Sequence, residues 1–238
     1  MIASWSHSRV VEFEKCKFAA KLKFVDRIPE PERPLPPGKS EHANDRGTRV
    51  HEGAEAFVRG LGSILPEMNA FRAEFDKLAR TFATGAVSLE GEWGFDRGWE
   101  ATPWRTAWLR MKLDALVFLS PYEAVAIDYK TGRKFGNEIK HGEQVQLYQL
   151  ACFLRYPELE VVHTELWYLD QDDITQRTFT RAQGLRFRDA WNRRGALITS
   201  AVQFPANPNK FSCQYCPYGM PENGFPQGTG HCSVGRRT

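Results

Sequence analysis

The stretch VAIDYKTGRK, Val125 to Lys134, carries an acid and an ammonium two residues apart, Asp128 and Lys130, at the end of an apolar run. Residues two apart on an extended strand point to the same side. Val125, Ile127 and Tyr129 then face one way, and Ala124, Ala126, Asp128 and Lys130 the other, with the alanines leaving room beside the charged pair. Asp114 follows the alternation Leu109, Met111, Leu113 and sits on the opposite face with Arg110 and Lys112. If the two strands form a hairpin, their acids converge. His51 with Glu55 one turn on, and Gln144 with Tyr148 four residues later on one helix face, complete the set. The chemistry that uses such groups is metal-assisted phosphodiester hydrolysis. Carboxylates are hard oxygen ligands for Mg²⁺ or Mn²⁺, and a neutral imidazole adds a nitrogen ligand suited to Mn²⁺. The cation lowers the pKa of water and neutralises phosphate charge, and a nearby lysine orients or deprotonates that water and stabilises developing negative charge. A cross-strand ion pair is the other account of Asp128 and Lys130. His51, Gln144 and Tyr148 taken singly are ordinary helix residues, so their order and placement together carry the argument.

The elements that must position these groups are legible from periodicity. SHSRVVEFEKCKFAAKLKFV reads as one helix with Ser6 or Ser8 as its N-cap. Five prolines between Arg27 and Asp45 make an irregular loop or arm. DRGTRVHEGAEAFVRG, with Asn44 or Asp45 available as a cap, has the stripe Val50, Ala54, Phe57, Val58 of a helix, and EMNAFRAEFDKLARTFAT continues the helical pattern. The period then becomes two: LEGEWGF, WLRMKLDALVFL and AVAIDYKTG read as strands. A helix in GEQVQLYQLACFLRYPEL, strands in VVHTELWYLD and ITQRTFTR, and a last helix in AQGLRFRDAWNRRGALITSAV follow. The sum is a mixed α/β unit. The segment from Gln203 onward is rich in Pro, Gly and Asn and is expected to be irregular unless something pins it.

Bulk properties exclude several classes. A chain of 238 residues, 42% apolar and 26% charged, can bury a core and has ordinary globular composition. It has no apolar run long enough to span a membrane and no secretory leader, so a cytoplasmic protein is expected. The formal charge of +3 demands no polyanion. The basic groups Lys15, Lys17, Lys21, Lys23, Arg27 and Arg181, Arg186, Arg188, Arg193, Arg194 permit one, or are simply solvated helix faces.

His51, Asp114, Asp128-Tyr129-Lys130 and Gln144-x-x-x-Tyr148, in that order and on those elements, resemble the PD-(D/E)xK nuclease superfamily, and within it the RecB-like branch that includes CRISPR-adaptation exonucleases and related phage nucleases. The opening SWSHSRVVEFEKCKFAAKLKF resembles that branch as well. Leu113 stands where the superfamily's name has proline, as in many RecB-like members. The resemblance implies a restriction-endonuclease-like core, a central mixed β-sheet flanked by helices, with the N- and C-terminal segments clamped by a cysteine cluster. One domain over 1–238 is expected, helical to about 85, a catalytic sheet core over about 86–180, and a helix and cysteine-containing tail over about 181–238. It further implies that His51, Asp114, Asp128 and the carbonyl of Tyr129 bind Mg²⁺ or Mn²⁺. Lys130 is then the catalytic lysine, with Asp114, Asp128, Gln144 and Tyr148 completing the catalytic set, and Glu92 matches an acidic position on the preceding strand. The implied activity is a metal-dependent DNA exonuclease on DNA ends or single-stranded DNA, in replication, recombination or repair, in a bacterial or phage-infected cell. A non-catalytic DNA-binding or scaffold module with a structural Fe–S or Zn site is the alternative.

Five cysteines in a reducing compartment argue against a disulfide framework. Several RecB-like nucleases hold a 4Fe–4S cluster with one N-terminal and three C-terminal cysteines, and Cys16, Cys213, Cys216 and Cys232 fit that arrangement, Cys213 and Cys216 with a two-residue chelating bite. Zn²⁺ held by these cysteines and His231 is the rival. Cys152 reads as a core residue. Trp99, Trp104 and Trp108 among Arg97, Arg105 and Arg110 are either a base-stacking platform or aromatics of a strand hairpin.

Overall fold

A computed structural model of the chain describes residues 1–221 and 226–234; the parts of the expected irregular tail at 222–225 and 235–238 lie outside the described residues. The chain divides into two compact units, Pro36–Trp191 and a second made of Met1–Leu35 together with Asn192–Thr238.

The Pro36–Trp191 unit begins with helix α3 (Ala43–Val58), a 3₁₀ helix (Pro66–Phe71) and α4 (Arg72–Phe82), numbered after α1 and α2 of the other unit. Strands β1 (Val87–Phe95), β2 (Ala101–Thr102), β3 (Leu109–Ser120) and β4 (Glu123–Lys130) lead to α5 (Glu138–Arg155), then to β5 (Val161–Tyr168), β6 (Asp173–Thr180) and α6 (Arg181–Leu185). Helix α7 (Arg188–Thr199) runs across the boundary at Trp191. The six strands form one sheet in the order β2-β1-β3-β4-β5-β6. All neighbouring pairs are antiparallel except β4 and β5. A parallel pair cannot be joined by a tight turn, and α5 supplies the crossover. This is the expected mixed sheet flanked by helices.

β4 is an interior strand, and its middle is buried on both sides. Ile127 and Tyr129 join Val50, Ala54, Phe75 and Trp167 in a core with α3 and α4. Leu166 and Tyr168 of β5 pack with Val145 of α5 in a second cluster. Successive residues of a strand thus serve different layers, which is why Asp128, between Ile127 and Tyr129, faces α5. Helix α6 approaches α5 closely at Gly184: a Cβ there would stand 2.0 Å from Gln149 Oε1 and 2.5 Å from a Phe153 ring carbon.

Three expected elements differ in detail. α3 starts at Ala43 with His42 as N-cap and no side-chain cap, so Asn44 and Asp45 lie inside the helix. The last helix divides into α6 and α7, the first opened by a capping box between Thr180 and Gln183. The Met1–Leu35 segment carries α1 (His7–Lys15), capped by Ser6, and α2 (Lys17–Phe24), where one helix was expected. Cys16 separates them in extended conformation (φ −159°, ψ 110°). Asn207 explains the break: its side-chain amide donates to Lys15 O (3.1 Å) and its backbone N–H to Cys16 Sγ (3.5 Å). The end of α1 thereby finds a partner for a carbonyl that further helix would otherwise satisfy. No helix or strand covers 25–42, as the prolines dictate. The segment after Gln203 contains α8 (Lys210–Cys213) and a parallel bridge between Gly219 and Cys232. Among the described residues no helix is long and apolar enough to cross a membrane.

Candidate active site

Asp128 meets α5 through side chains one turn apart. Tyr148 Oη donates to Asp128 Oδ1 (2.7 Å), and Gln144 Nε2 donates to Tyr148 Oη (2.5 Å), with a longer reach to Asp128 Oδ1 (3.4 Å). Lys130 Nζ donates to Gln144 Oε1 (2.7 Å) and stands 2.5 Å from Asp128 Oδ2. That last contact is an ion pair without hydrogen-bond geometry, so Asp128 Oδ2 is a buried carboxylate oxygen that accepts no hydrogen bond. Burial, followed by the charges of Asp128 and Asp114, holds the Tyr148 phenol well above its ordinary pKa, so it remains a donor.

Asp114 enters from β3. The β3–β4 ladder ends with Ala115 opposite Ile127, and beyond that point Tyr129 N–H donates to Asp114 Oδ2 (2.7 Å). A side chain thus takes over where backbone pairing stops, and a carboxylate enters between the strands. Its other oxygen lies 2.8 Å from His51 Nδ1 on α3. Burial and the charge of Asp128 raise the Asp114 pKa, while His51 and the Tyr129 N–H pull it back. Burial alone would lower the His51 pKa, but the hydrogen bond to Asp114 and the charges of Asp114 and Asp128 outweigh it and raise it.

The structure therefore brings His51, Asp114, Asp128, Tyr129, Lys130, Gln144 and Tyr148 into one network from four elements. Among the described residues no three His, Cys, Asp or Glu side chains form a ready ligand shell for a metal. The candidate ligand atoms are engaged with one another, and the ammonium of Lys130 supplies the positive charge beside Asp128. The donor set of carboxylate oxygens and an imidazole nitrogen, gathered beside buried Asp114 and Asp128, fits a hard divalent cation.

Glu92 stands apart from this network. It is half exposed and faces Lys112 across the β1–β3 ladder, 3.3 Å away, because the register sets those two residues opposite each other. Trp99 and Trp108 are buried and meet edge to face at 5.9 Å, which resolves them as hairpin core rather than a stacking platform. Arg97 lies over Trp108, and Arg110 over the half-buried Trp104.

Two groups escaped the sequence reading. Arg46, early in α3, grips Asp170 with both guanidinium nitrogens (2.8 and 2.7 Å) and donates to Thr131 O (3.1 Å). It ties the helix that carries His51 to the exits of β4 and β5. Its partners lie 85 and 124 residues away, so no local pattern announces it. His141, one turn before Gln144, pairs through Nδ1 with Tyr168 Oη (2.8 Å). Burial, then the charge of Lys130, lowers its pKa to about 4.

A histidine kept neutral in the fold has a definite pH signature. Between about 6.5, the value in the unfolded chain, and about 4, the unfolded state takes up a proton that the folded state refuses. Stability therefore falls as pH drops through that window and levels off below it. Urea midpoints at pH 7 and pH 5 check this. The wild type is expected to lose more between them than His141→Gln, and equal losses would show that His141 is not the group responsible. His141 is only partly buried, which reduces the size of the effect.

None of the five cysteines is in a disulfide. Cys152 is buried in the core, where burial raises its pKa. Cys16, Cys213, Cys216 and Cys232 all belong to the second unit. Cys213 Sγ accepts the Asn209 N–H (3.4 Å), and Cys232 N–H donates to Tyr218 O (2.7 Å). Burial raises the Cys216 pKa and a backbone hydrogen bond from Tyr218 pulls it back; among the described residues the cysteines form no ready metal-ligand group.

A solved structure described as that of SSO0001 is similar over 92% of this chain and 84% of its own, with a TM-score of 0.46 and 14% identity. No curated protein matches the chain in sequence. A family model described as the PD-(D/E)XK nuclease superfamily matches residues 4–220, a span that contains every side chain of the network around Asp128. With nearly the whole chain matched, this protein belongs to the PD-(D/E)XK nuclease superfamily.

Proposed function

We propose that the chain is a metal-dependent deoxyribonuclease of the RecB-like branch, an exonuclease on DNA ends or single strands that serves replication, recombination or repair in the cytoplasm of a bacterial or phage-infected cell. The observation that carries this reading is the network itself: two acids, an imidazole and a lysine from three elements meet where the β3–β4 ladder ends. His51, Asp114, Asp128 and the Tyr129 carbonyl would hold Mg²⁺ or Mn²⁺. A bound divalent cation supplies Lewis acidity toward the phosphate and a lowered pKa for water. Tyr148 and Gln144 occupy Asp128 Oδ1, leaving Oδ2 on the side of Lys130. Gln144 also fixes the Lys130 ammonium, which orients the attacking water and stabilises negative charge developing on the phosphate. End-labelled single- and double-stranded DNA, incubated with Mg²⁺ or Mn²⁺, is expected to shorten from its ends. Intact DNA of both kinds with both ions would overturn the reading.

The four cysteines of the second unit are assigned to a 4Fe–4S cluster, with Zn²⁺ held by the same thiols and His231 as the rival. Its support is that Cys16, Cys213, Cys216 and Cys232, from distant parts of the chain, belong to one compact unit, and that N–H groups of Asn207 and Asn209 donate to the sulfurs of Cys16 and Cys213. Thiolates are the ligands that such a cluster needs. Protein purified without air is expected to be brown and to contain about four irons and four sulfides per chain. Cys216→Ser should lose both colour and iron. A colourless protein containing zinc would decide for the rival.

A further inference from the structure

The loop joining Lys130 to α5, residues 131–137, is held along its length. Arg46 donates to Thr131 O, and Gln171 donates to Gly132 O (3.0 Å) while accepting from Lys134 N–H (3.4 Å). Asn137 donates to Arg133 O (2.9 Å), Gly136 N–H donates to Glu138 Oε2 (2.8 Å), and Lys134 pairs with Asp173 (2.6 Å). Yet this pinned loop presents Phe135 with 81% of its surface exposed, and Ile139 follows at 84%. Single exposed apolar residues need no explanation. Exposed Arg133 and Lys140 flank these two in the chain. Exposed Arg177 of β6 reaches the same helix, its guanidinium within 3.9 Å of the place a side chain on Gly142 would take. The loop begins at the residue after Lys130 and leads into α5, which carries Gln144 and Tyr148, so both of its ends join elements of the candidate active site.

An uncovered aromatic ring on a fixed loop, with exposed cations on the same loop and the helix that follows, matches the needs of a single nucleic-acid strand: a face on which a base stacks and positive charge for the flanking phosphates. Inside a duplex both faces of each base are already stacked, so the ring has value only for an unpaired base. We propose that Phe135, backed by Ile139, is the platform on which an unpaired DNA base stacks beside the active site, with Arg133, Lys140 and Arg177 holding its phosphates. The assignment rests on the nuclease reading and adds to it the origin of a preference for unpaired strands.

Fluorescence anisotropy with the full chain and a labelled oligodeoxynucleotide tests it, with Ca²⁺ replacing Mg²⁺ to keep the DNA intact. Phe135→Ala is expected to weaken single-strand binding about tenfold, the effect of losing one stacked base, and to leave duplex binding unchanged. Phe135→Trp should restore it. Moving one abasic position along the strand should find a place where wild type loses as much and Phe135→Ala loses nothing more. Arg133→Ala with Lys140→Ala should weaken single strand and duplex alike, with a shallower salt dependence. Unchanged single-strand binding by Phe135→Ala, or equal loss on duplex, overturns the platform. Failure of the wild type to cleave any DNA with Mg²⁺ or Mn²⁺ is a separate result and overturns the nuclease reading instead.

Discussion

Lys130→Met and Asp128→Asn each lower DNA cleavage by about 10²- to 10⁴-fold, the range for losing a positioned catalytic group or a charge aimed at the transition state. Each change also disturbs the fold, because Asp128 is buried and Lys130 is the cation beside it. Removing one partner of a buried pair leaves the other uncompensated, at a cost of about 3–5 kcal/mol. Stability loss alone could then be mistaken for loss of catalysis. The double variant separates the two. With amide and thioether in place of the ions, neither member of the pair is left as an uncompensated charge, and the thermal midpoint should recover most of what either single variant lost. Cleavage should not recover at all. A double variant that regains activity with stability would show that the pair is structural and that the catalytic assignment is wrong. Measurable cleavage at wild-type rates by either folded single variant would do the same.

Arg181→Ala is expected to cost about 3 kcal/mol of stability, from the loss of several charged hydrogen bonds at once. Its Nε donates to Leu159 O (2.8 Å), and Nη2 reaches the carbonyls of Phe153 (3.0 Å), Tyr156 (2.9 Å) and Pro157 (2.6 Å). These are the acceptors left over as α5 ends and the chain turns toward β5, where a cation also answers the helix dipole. The guanidinium lies over the Phe153 ring as well, 5.3 Å from its centre. Arg181→Met keeps much of that packing and isolates the hydrogen bonds. Arg181→Lys should recover only part of the loss, because a compact ammonium cannot reach four carbonyls spread over seven residues. Urea unfolding of the three variants checks the order wild type, Lys, Met, Ala. A loss below about 1 kcal/mol for Arg181→Ala would mean that water replaces the guanidinium without penalty. Since α5 carries Gln144 and Tyr148, the expectation includes a modest fall in cleavage for the destabilised variants.

Much of the candidate site was open to reading from the residues alone because its parts are short-range. Asp128 and Lys130 share a strand face through the two-residue period, and Gln144 and Tyr148 share a helix face through the four-residue one. Backbone geometry settles such relations within a few residues, and no distant partner can change them. The irregular arm at 25–42 was equally legible, since proline excludes regular structure locally.

Long-range relations needed the folded chain. Nothing near Asp114 says that its carboxylate will take the Tyr129 N–H where pairing lapses, or that its other oxygen will meet His51, 63 residues away. The parallel pairing of β4 with β5, the grip of Arg46 on Asp170 and the break at Cys16 opposite Asn207 are of the same kind. Each depends on which surfaces pack together once several elements have formed. Packing of that kind minimises a free energy summed over residues far apart in the chain, so the letters around any one of them carry only a fraction of the information.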